Sequence, residues 1–139
     1  SRFLKNEDSG ELKILDAVEG ITVLHMDKSF GFFNTLSDAE KAEAQETYAR
    51  LWDTVCEKAL SGEYDMLVVD EFMAAYHYGL IDHAKSLAFL EKKPKELEVV
   101  LTGRNPDEKL IGLADYVSEI RKIKHPFDRE IRARRGIEY

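Results

Sequence analysis

The chain has 139 residues, of which 44% are hydrophobic and 34% charged, so it has enough apolar material for the core of one domain. Residues 1–139 show no signal-peptide pattern and no apolar run near the roughly 18 residues that span a bilayer. Its single cysteine, Cys56, excludes an internal disulfide and a cysteine-cluster metal site. We therefore expect a soluble cytoplasmic protein with no membrane partner, and Cys56 as a buried hydrophobe.

Charge is divided unevenly along the chain. The net charge is −7, yet residues 121–139 hold seven Lys or Arg against three Asp or Glu, and the part before them holds 13 against 24. An acidic body argues against binding a nucleic-acid backbone as the main task. The basic tail is open to three interpretations: it contacts RNA, it contacts one polyphosphate, or it folds onto the acidic body.

The first predicted elements are short. A turn at 8–10 precedes a helix over about 11–18, which Gly20 closes. Residues 21–26 then predict a strand, and residues 29–35 an aromatic loop.

A long helix follows this loop. Ser37 and Glu40 have the spacing of a capping box, which predicts a helix from there to about Leu60, ended by Gly62. The residues that recur at helical spacing and form its buried face are Tyr48, Leu51, Trp52, Val55 and Ala59.

Two buried strands and two helices are predicted next. The strands are 66–69 and 99–102, both short apolar runs without alternation. Between them Asp82 caps a helix that extends to about Lys92, with Leu87 and Leu90 facing inward and Pro94 ending it.

The last predicted elements start after the second of these strands. Asn105, followed by Pro106 and by Glu108 three positions on, predicts the start of a helix. Residues 116–123 predict a final strand.

The order of these elements indicates the fold class. Strands that alternate with helices of ten or more residues need crossover connections, which predict a mainly parallel sheet with helices on both faces. We see no linker or repeat, so residues 1–139 are expected to be one domain.

Two acids, Asp70 and Glu71, follow the first buried strand directly. Ligands gather at the carboxyl ends of parallel strands, where Thr102, Gly103 and Arg104 are also expected. An apolar strand with a terminal acid has the form of a Walker-B element, whose carboxylate holds Mg²⁺ beside nucleotide phosphates. The alternative is an ordinary surface acid. Because side chains alternate along a strand, one acid can face a ligand while the other braces a neighbour.

A Walker-B acid needs a phosphate-binding loop, and the pattern GxxxxGK[ST] is absent from the chain. Either the metal interpretation is wrong or the loop belongs to a segment before Ser1. The chain does not begin with methionine, which favours the second interpretation. We expect the natural protein to contain that segment.

The stretch from Val99 to Tyr139 resembles the end of the P-loop type of ATP:corrinoid adenosyltransferase, also called cob(I)yrinic acid a,c-diamide adenosyltransferase. That family ends in LTGR, a helix, ADxVTE and IKHPFDxGIxAxxGIEY or near variants. FLKNEDSGELKIL, SFGFFNT and SGEYDMLVVDEF resemble further family segments in the same order, so the resemblance covers essentially the whole chain.

The resemblance implies a P-loop NTPase (RecA-like) fold that lacks its amino-terminal P-loop strand and loop. It also implies transfer of the 5′-deoxyadenosyl group of ATP to the cobalt of a reduced corrinoid, with release of triphosphate. Cobalt(I) is itself a strong nucleophile, so no Ser, Cys or His nucleophile is required. The family pattern assigns Glu71 as the Mg²⁺ carboxylate and Asp70 as its supporting partner.

Other residues take their expected roles from the same resemblance. Phe30 and Phe32 match an aromatic pair that packs under the corrin ring, where the second is usually Trp; the alternative is a core-packing turn. Arg104, Lys124, His125 and Phe127 are expected to contact ATP or its phosphates. The alternatives are an ion pair to the body for Arg104 and a structural hydrogen bond for His125. His25, His77 and His83 show no metal-site spacing.

Two other functions stay open at this point. One is a RecA-like ATPase, which would need a glutamate that activates water. The other is a truncated or degenerate module that binds a corrinoid or a partner but not ATP. The family resemblance also implies a homodimer and a flavoprotein reductase as a possible partner.

Overall fold

A computed structural model describes residues 10–24, 26, 28, 30–31 and 33–134. Two parallel strands in this part of the chain, β1 (Met66–Val69) and β2 (Glu98–Leu101), form a sheet in which Val69 pairs with Leu101. The α-helices are α1 (Gly10–Leu15), α2 (Asp38–Ala59), α3 (Phe72–His77), α4 (His83–Lys92) and α5 (Glu108–Leu113). The predicted α/β class and the parallel crossover are therefore confirmed.

The capping box at the start of α2 is confirmed in both directions. The Glu40 N–H donates to Ser37 Oγ over 3.4 Å, and the Ser37 N–H donates to Glu40 Oε2 over 2.8 Å. Together the two bonds satisfy donors that a helix start leaves open. Gly62, with a φ of +80°, follows the helix end, as predicted.

The predicted cap of α4 is also confirmed, since Asp82 accepts a hydrogen bond from the Lys85 N–H at 2.6 Å. The predicted inward face is confirmed as well, since Leu87 and Leu90 are half-buried and pack against the core. Ser86 and Phe89, which the prediction did not name, are the fully buried residues of this helix.

Trp52 lies at the centre of the core and joins three helices. Its ring centroid is 5.3 Å from that of Phe72 in α3 and 5.6 Å from that of Phe89 in α4. Tyr48 and Val55 of α2 are almost completely buried on either side of it. Offset and edge-on contacts of this kind add to the stabilisation from burial itself.

The prediction that both faces of the sheet are covered is wrong for the described residues. Met66 is 58% exposed, Val68 43% and Val100 42%, whereas Val69 is fully buried. Side chains alternate between the two faces of a strand, so alternate residues here meet the core and solvent. The unbroken apolar runs look the same in sequence whether one face is covered or two.

Two predicted strands are not formed among the described residues. Residues 21–24 and 26 have no strand assignment, and neither do residues 116–123. In the second segment Tyr116 is 94% exposed and Ile120 98%. A strand is stable only when a neighbour takes its backbone hydrogen bonds, and β propensity does not supply that neighbour.

The predicted start of α5 is wrong by two residues. Asp107 is the N-cap and accepts a hydrogen bond from the Lys109 N–H at 2.9 Å. Asn105 has a φ of +53°, which is incompatible with the extended backbone of an N-cap. Both residues are good capping types, so the choice between them depends on the path of the preceding loop.

None of the described helices is both long enough and apolar enough to cross a membrane.

Candidate active site

The parallel pairing places Thr102 beside Asp70. Thr102 directly follows β2, and its N–H donates to the Val69 carbonyl at 3.1 Å. Asp70 directly follows β1, so both side chains stand at the same edge of the sheet. This is the carboxyl edge, where ligands bind in parallel sheets.

The Thr102 hydroxyl connects both acids of the site. It donates to Asp70 Oδ1 at 2.6 Å and accepts from the Glu71 N–H at 3.1 Å. Asp70 therefore binds the residue that directly follows the neighbouring strand β2. Side-chain alternation along the strand predicts such a contact for one of the two acids.

Glu71 leaves the strand in an unusual conformation. Its φ of 58° and ψ of 25° place it in the left-handed region, and it is the residue before α3. Its carboxylate is half-buried and accepts no hydrogen bond from the residues that the structure describes. The Glu71 carboxylate therefore takes no part in the hydrogen bond between Thr102 and Asp70.

The two acids fit the way proteins bind Mg²⁺ with phosphates. Mg²⁺ keeps several waters and takes one or two carboxylates, with the substrate phosphates completing its ligands. The described part of the chain holds no cluster of three or more His, Cys, Asp or Glu that would bind a metal without substrate. A single carboxylate such as Glu71, supported by Asp70, suits a magnesium–nucleotide complex better than a dedicated metal site.

The loop after β2 packs closely against the start of α3. A Cβ at Gly103, whose φ is +141°, would lie 2.6 Å from Met73 Cβ. The Met73 N–H donates to the Thr102 carbonyl at 3.3 Å. Only glycine allows this approach, which fixes the path of the chain on which Arg104 lies.

Arg104 follows Gly103 and is exposed. It forms no ion pair with any residue that the structure describes. The alternative role, an ion pair to an acid of the body, therefore has no support here.

The aromatic loop is only partly described, and Phe32 lies outside the described residues. Phe30 is 9% exposed, its ring centroid lies 6.2 Å from that of Tyr48, and Lys28 Nζ lies 5.2 Å from its centroid. These contacts are those of the alternative interpretation, in which Phe30 packs in the core.

The tail residues are exposed. His125 Nδ1 accepts a hydrogen bond from the Phe127 N–H at 3.1 Å, at the start of a 3₁₀ turn over Pro126–Arg129. Phe127 is 76% exposed, and Lys124 is exposed too. His125 thus has the structural hydrogen bond of its alternative role. No hydrogen bond of the described residues joins Lys124, His125 or Phe127 to Glu71.

Cys56 behaves as expected. It is buried, and burial raises the pKa of its thiol to about 11, so the thiol is protonated at neutral pH. It lines an apolar cavity of about 260 Å³ between α2 and α4. The residues that line this cavity do not include either acid of the sheet edge.

Thr102 and the conformation of Glu71 are what sequence reasoning missed. Thr102 was expected at this edge, but no role was assigned to it. A hydroxyl residue directly after one parallel strand can bind an acid directly after the neighbouring strand. That pattern could have indicated the bond between Thr102 and Asp70. It depends on the register of the two strands, and the sequence of a crossover connection does not show that register.

Comparison with known proteins gives a family match over the whole chain. The profile of the family described as ATP:corrinoid adenosyltransferase BtuR/CobO/CobP matches residues 1–139.

Curated relatives match parts of the chain. A corrinoid adenosyltransferase of Sinorhizobium sp is 42% identical over 91 residues, which are 65% of this chain and 42% of that protein. A corrinoid adenosyltransferase of Escherichia coli is 29% identical over 141 residues, 99% of this chain and 68% of that protein. The corrinoid adenosyltransferase CobA of Salmonella typhimurium is 39% identical over 77 residues, 54% of this chain and 38% of that protein. The matches thus span less than half of the length of the Sinorhizobium and Salmonella proteins.

Proposed function

The chain belongs to the ATP:corrinoid adenosyltransferase family BtuR/CobO/CobP, and from this membership we propose that the protein transfers the 5′-deoxyadenosyl group of ATP to the cobalt of a reduced corrinoid. Triphosphate is the leaving group. The proposal includes a single domain over 1–139 with a P-loop NTPase (RecA-like) fold that lacks its P-loop strand and loop. The observation that carries it is the pair of acids at the carboxyl edge of the sheet, where Glu71 keeps an uncommitted carboxylate.

The residues have distinct tasks in this reaction. Cobalt(I) attacks the C5′ carbon itself, so the protein needs no nucleophile, and a protonated, buried Cys56 is compatible with that. What the protein supplies is position and charge stabilisation. Glu71 would hold Mg²⁺, which when bound would supply positive charge to stabilise the triphosphate leaving group, while Asp70 keeps its hydrogen bond from Thr102.

Cations around this edge are proposed to complete the phosphate site. Arg104 has no ion pair among the described residues and so keeps its charge for a polyphosphate. Lys124, His125 and Phe127 would reach ATP only if the exposed tail closes over the edge. The basic charge of the tail supports this role, since triphosphate carries several negative charges.

The corrinoid side is proposed to be the aromatic loop. Phe30 is buried against Tyr48, so its contribution is to anchor the loop to α2. Phe32 is proposed to lie under the corrin ring. Displacing the lower ligand of cobalt in this way makes the corrinoid easier to reduce.

Glu71→Gln tests the metal role. In the protein at its natural length, reduced corrinoid, ATP and Mg²⁺ should give the light-sensitive adenosylated product, and the substitution should lower the rate by at least about 100-fold. Glu91→Gln, an exposed change on α4, is the matched control and should leave the rate unchanged. Corrinoid binding without product would favour the non-catalytic module, and release of phosphate instead of triphosphate would favour an ATPase.

Phe32→Ala tests the corrinoid role. We expect a loss of corrinoid adenosylation with ATP binding unchanged. Phe32→Trp restores the side chain that is usual in the family and should keep or raise the activity. Unchanged adenosylation in Phe32→Ala would remove Phe32 from the site.

We also propose a homodimer, a flavoprotein reductase as electron donor, and a cytoplasmic location. Light scattering measures the molar mass in solution and so tests the homodimer directly. Reduction of the bound corrinoid by an added flavoprotein would support the reductase as partner.

A further inference from the structure

We propose that Thr102 is a positioning residue whose hydroxyl holds the Asp70–Glu71 turn so that the Glu71 carboxylate points to magnesium-bound triphosphate. The inference rests on the proposed function for its ligand. Its structural part, the hold on the turn, is independent of that function.

The conformation of Glu71 needs an external support. A glutamate rarely adopts φ 58° and ψ 25°, because its Cβ crowds the backbone there. Such conformations persist where the surroundings over-determine them, and they cluster at functional sites. Glycine would adopt this conformation without a steric cost, so the backbone here is less stable with glutamate than it would be with glycine.

Thr102 supplies that support through both its backbone and its side chain. Its N–H donates to the Val69 carbonyl, and its carbonyl accepts from the Met73 N–H. Its hydroxyl accepts from the Glu71 N–H and donates to Asp70 Oδ1. The four bonds involve the residues on both sides of the turn and both acids within it.

The two side-chain bonds also separate the roles of the acids. The hydroxyl has one proton, which it donates in a hydrogen bond to Asp70 Oδ1, so the Asp70 side chain is held beside the end of β2. The same oxygen fixes the backbone of Glu71 and leaves the Glu71 carboxylate uncommitted. Removing the hydroxyl would remove one hydrogen bond from each acid, the bond to the Asp70 side chain and the bond to the Glu71 N–H.

The test compares Thr102→Val, which keeps the branched shape but loses both side-chain bonds, with Thr102→Ser, which keeps both. Thr54→Val is the matched control, because Thr54 donates to the Arg50 carbonyl on the exposed side of α2. The probe is Mn²⁺ with tripolyphosphate, followed by electron paramagnetic resonance in the protein at its natural length. A second readout is hydrogen exchange of the Glu71 amide.

We expect Thr102→Val to weaken Mn²⁺–tripolyphosphate binding by roughly 10–100-fold, as for other outer-sphere supports of a metal site. The Glu71 amide should exchange at least about tenfold faster, and kcat should fall more than KM for ATP rises. Thr102→Ser should stay within about threefold of the unsubstituted protein, and Thr54→Val should not change these readouts.

Each of the following results would overturn the inference. One is a Thr102→Val variant that loses stability but keeps Mn²⁺–tripolyphosphate affinity, which would make the hydroxyl merely structural. Another is an unchanged exchange rate of the Glu71 amide. The third is a Glu71→Gln variant with unchanged Mn²⁺ affinity, which would refute the metal role in the proposed function as well. Weakened binding in Glu71→Gln but not in Thr102→Val would refute the positioning role alone.

Discussion

At Glu71 the backbone lies in the left-handed region, where an L-residue with a Cβ is less stable than glycine by about 1 kcal/mol. We therefore expect Glu71→Gly to unfold at higher urea concentration than Glu71→Ala, with a difference of about 1 kcal/mol in the free energy of unfolding. Both variants lack the carboxylate, so the comparison isolates the backbone term. Equal stabilities would show that no strain is stored at this turn.

Gly103 is constrained by a close contact. A Cβ there would lie 2.6 Å from Met73 Cβ, and its φ of +141° disfavours any other residue. Gly103→Ala should lower the free energy of unfolding by about 2–3 kcal/mol, because α3 or the loop must shift.

Gly112 provides the matched control for this change. It lies within α5, and a Cβ there would meet nothing within 4 Å. Gly112→Ala should be neutral or stabilise by about 0.5 kcal/mol, as expected in a helix. Urea denaturation of both variants gives the comparison, and a similar loss in both would contradict the packing argument.

Single residues were predictable where chemistry alone identified them. Asp70 and Glu71 stand out in sequence because two adjacent acids directly follow an apolar run, in the form of a Walker-B element. The bond from Thr102 to Asp70 was not predictable, since the two residues are 32 positions apart and only the strand register brings them together. The positive φ at Glu71 was hidden for a related reason, because glutamate carries no preference for it.

At the scale of elements, the start of α2 makes a pH-dependent contribution to stability. The Ser37 hydroxyl donates to Glu40 Oε2 at 2.6 Å, and this bond lowers the pKa of the Glu40 carboxyl below its ordinary value of 4.5. The folded state therefore favours the ionised form. Its contribution is fully present above pH 4.5 and is lost as the pH falls through the lowered pKa of the folded state.

Glu40→Gln should therefore be less stable than the unsubstituted chain at pH 7, and the difference should shrink as the pH is lowered from 5 to 3. Glutamine still fits a capping box, so the change mainly removes charge. Urea titrations across this range measure the difference, with Glu91→Gln as the control. A difference that stays constant with pH would contradict the assignment.

Elements with their own local signals were predicted best. The capping box of α2 and the Asp82 cap of α4 depend on neighbours within a few residues, and both are formed. The strand expected at 116–123 depends on a distant partner, which no local signal provides. The start of α5 falls between these cases, because Asn105 and Asp107 are both suitable caps.

At the scale of the molecule, the stretch from 114 to 134 differs from the packed body. It is almost entirely exposed and contains no α-helix or strand. Brief trypsin digestion should therefore cut first at Arg121, Lys122 and Lys124, and only later at Arg50 or Lys58 inside α2. Mass spectrometry of the early fragments identifies the sites. Early cleavage within α2 would contradict this order, and protection of 121–124 by ATP would support the proposed closing of the tail.

The fold class was predictable because parallel crossovers leave a repeated pattern of strand, helix and strand. The coverage of the sheet was not, since Met66 and Val100 are apolar in sequence but exposed. The periodicity of apolar residues indicates which residues can be buried. Which of them are buried depends on which helices cover each face of the sheet.

The hydroxyl bond of Thr102 also has a consequence for biosynthesis. At translation speeds of about 5–20 residues per second, Thr102 leaves the ribosome's catalytic centre roughly two to six seconds after Asp70, which precedes it by 32 positions. A nascent chain that ends before β2 therefore has both acids but not the Thr102 bonds that hold them. Under the proposed function, affinity for magnesium-bound triphosphate should rise only when β2 pairs with β1, so it would report that pairing.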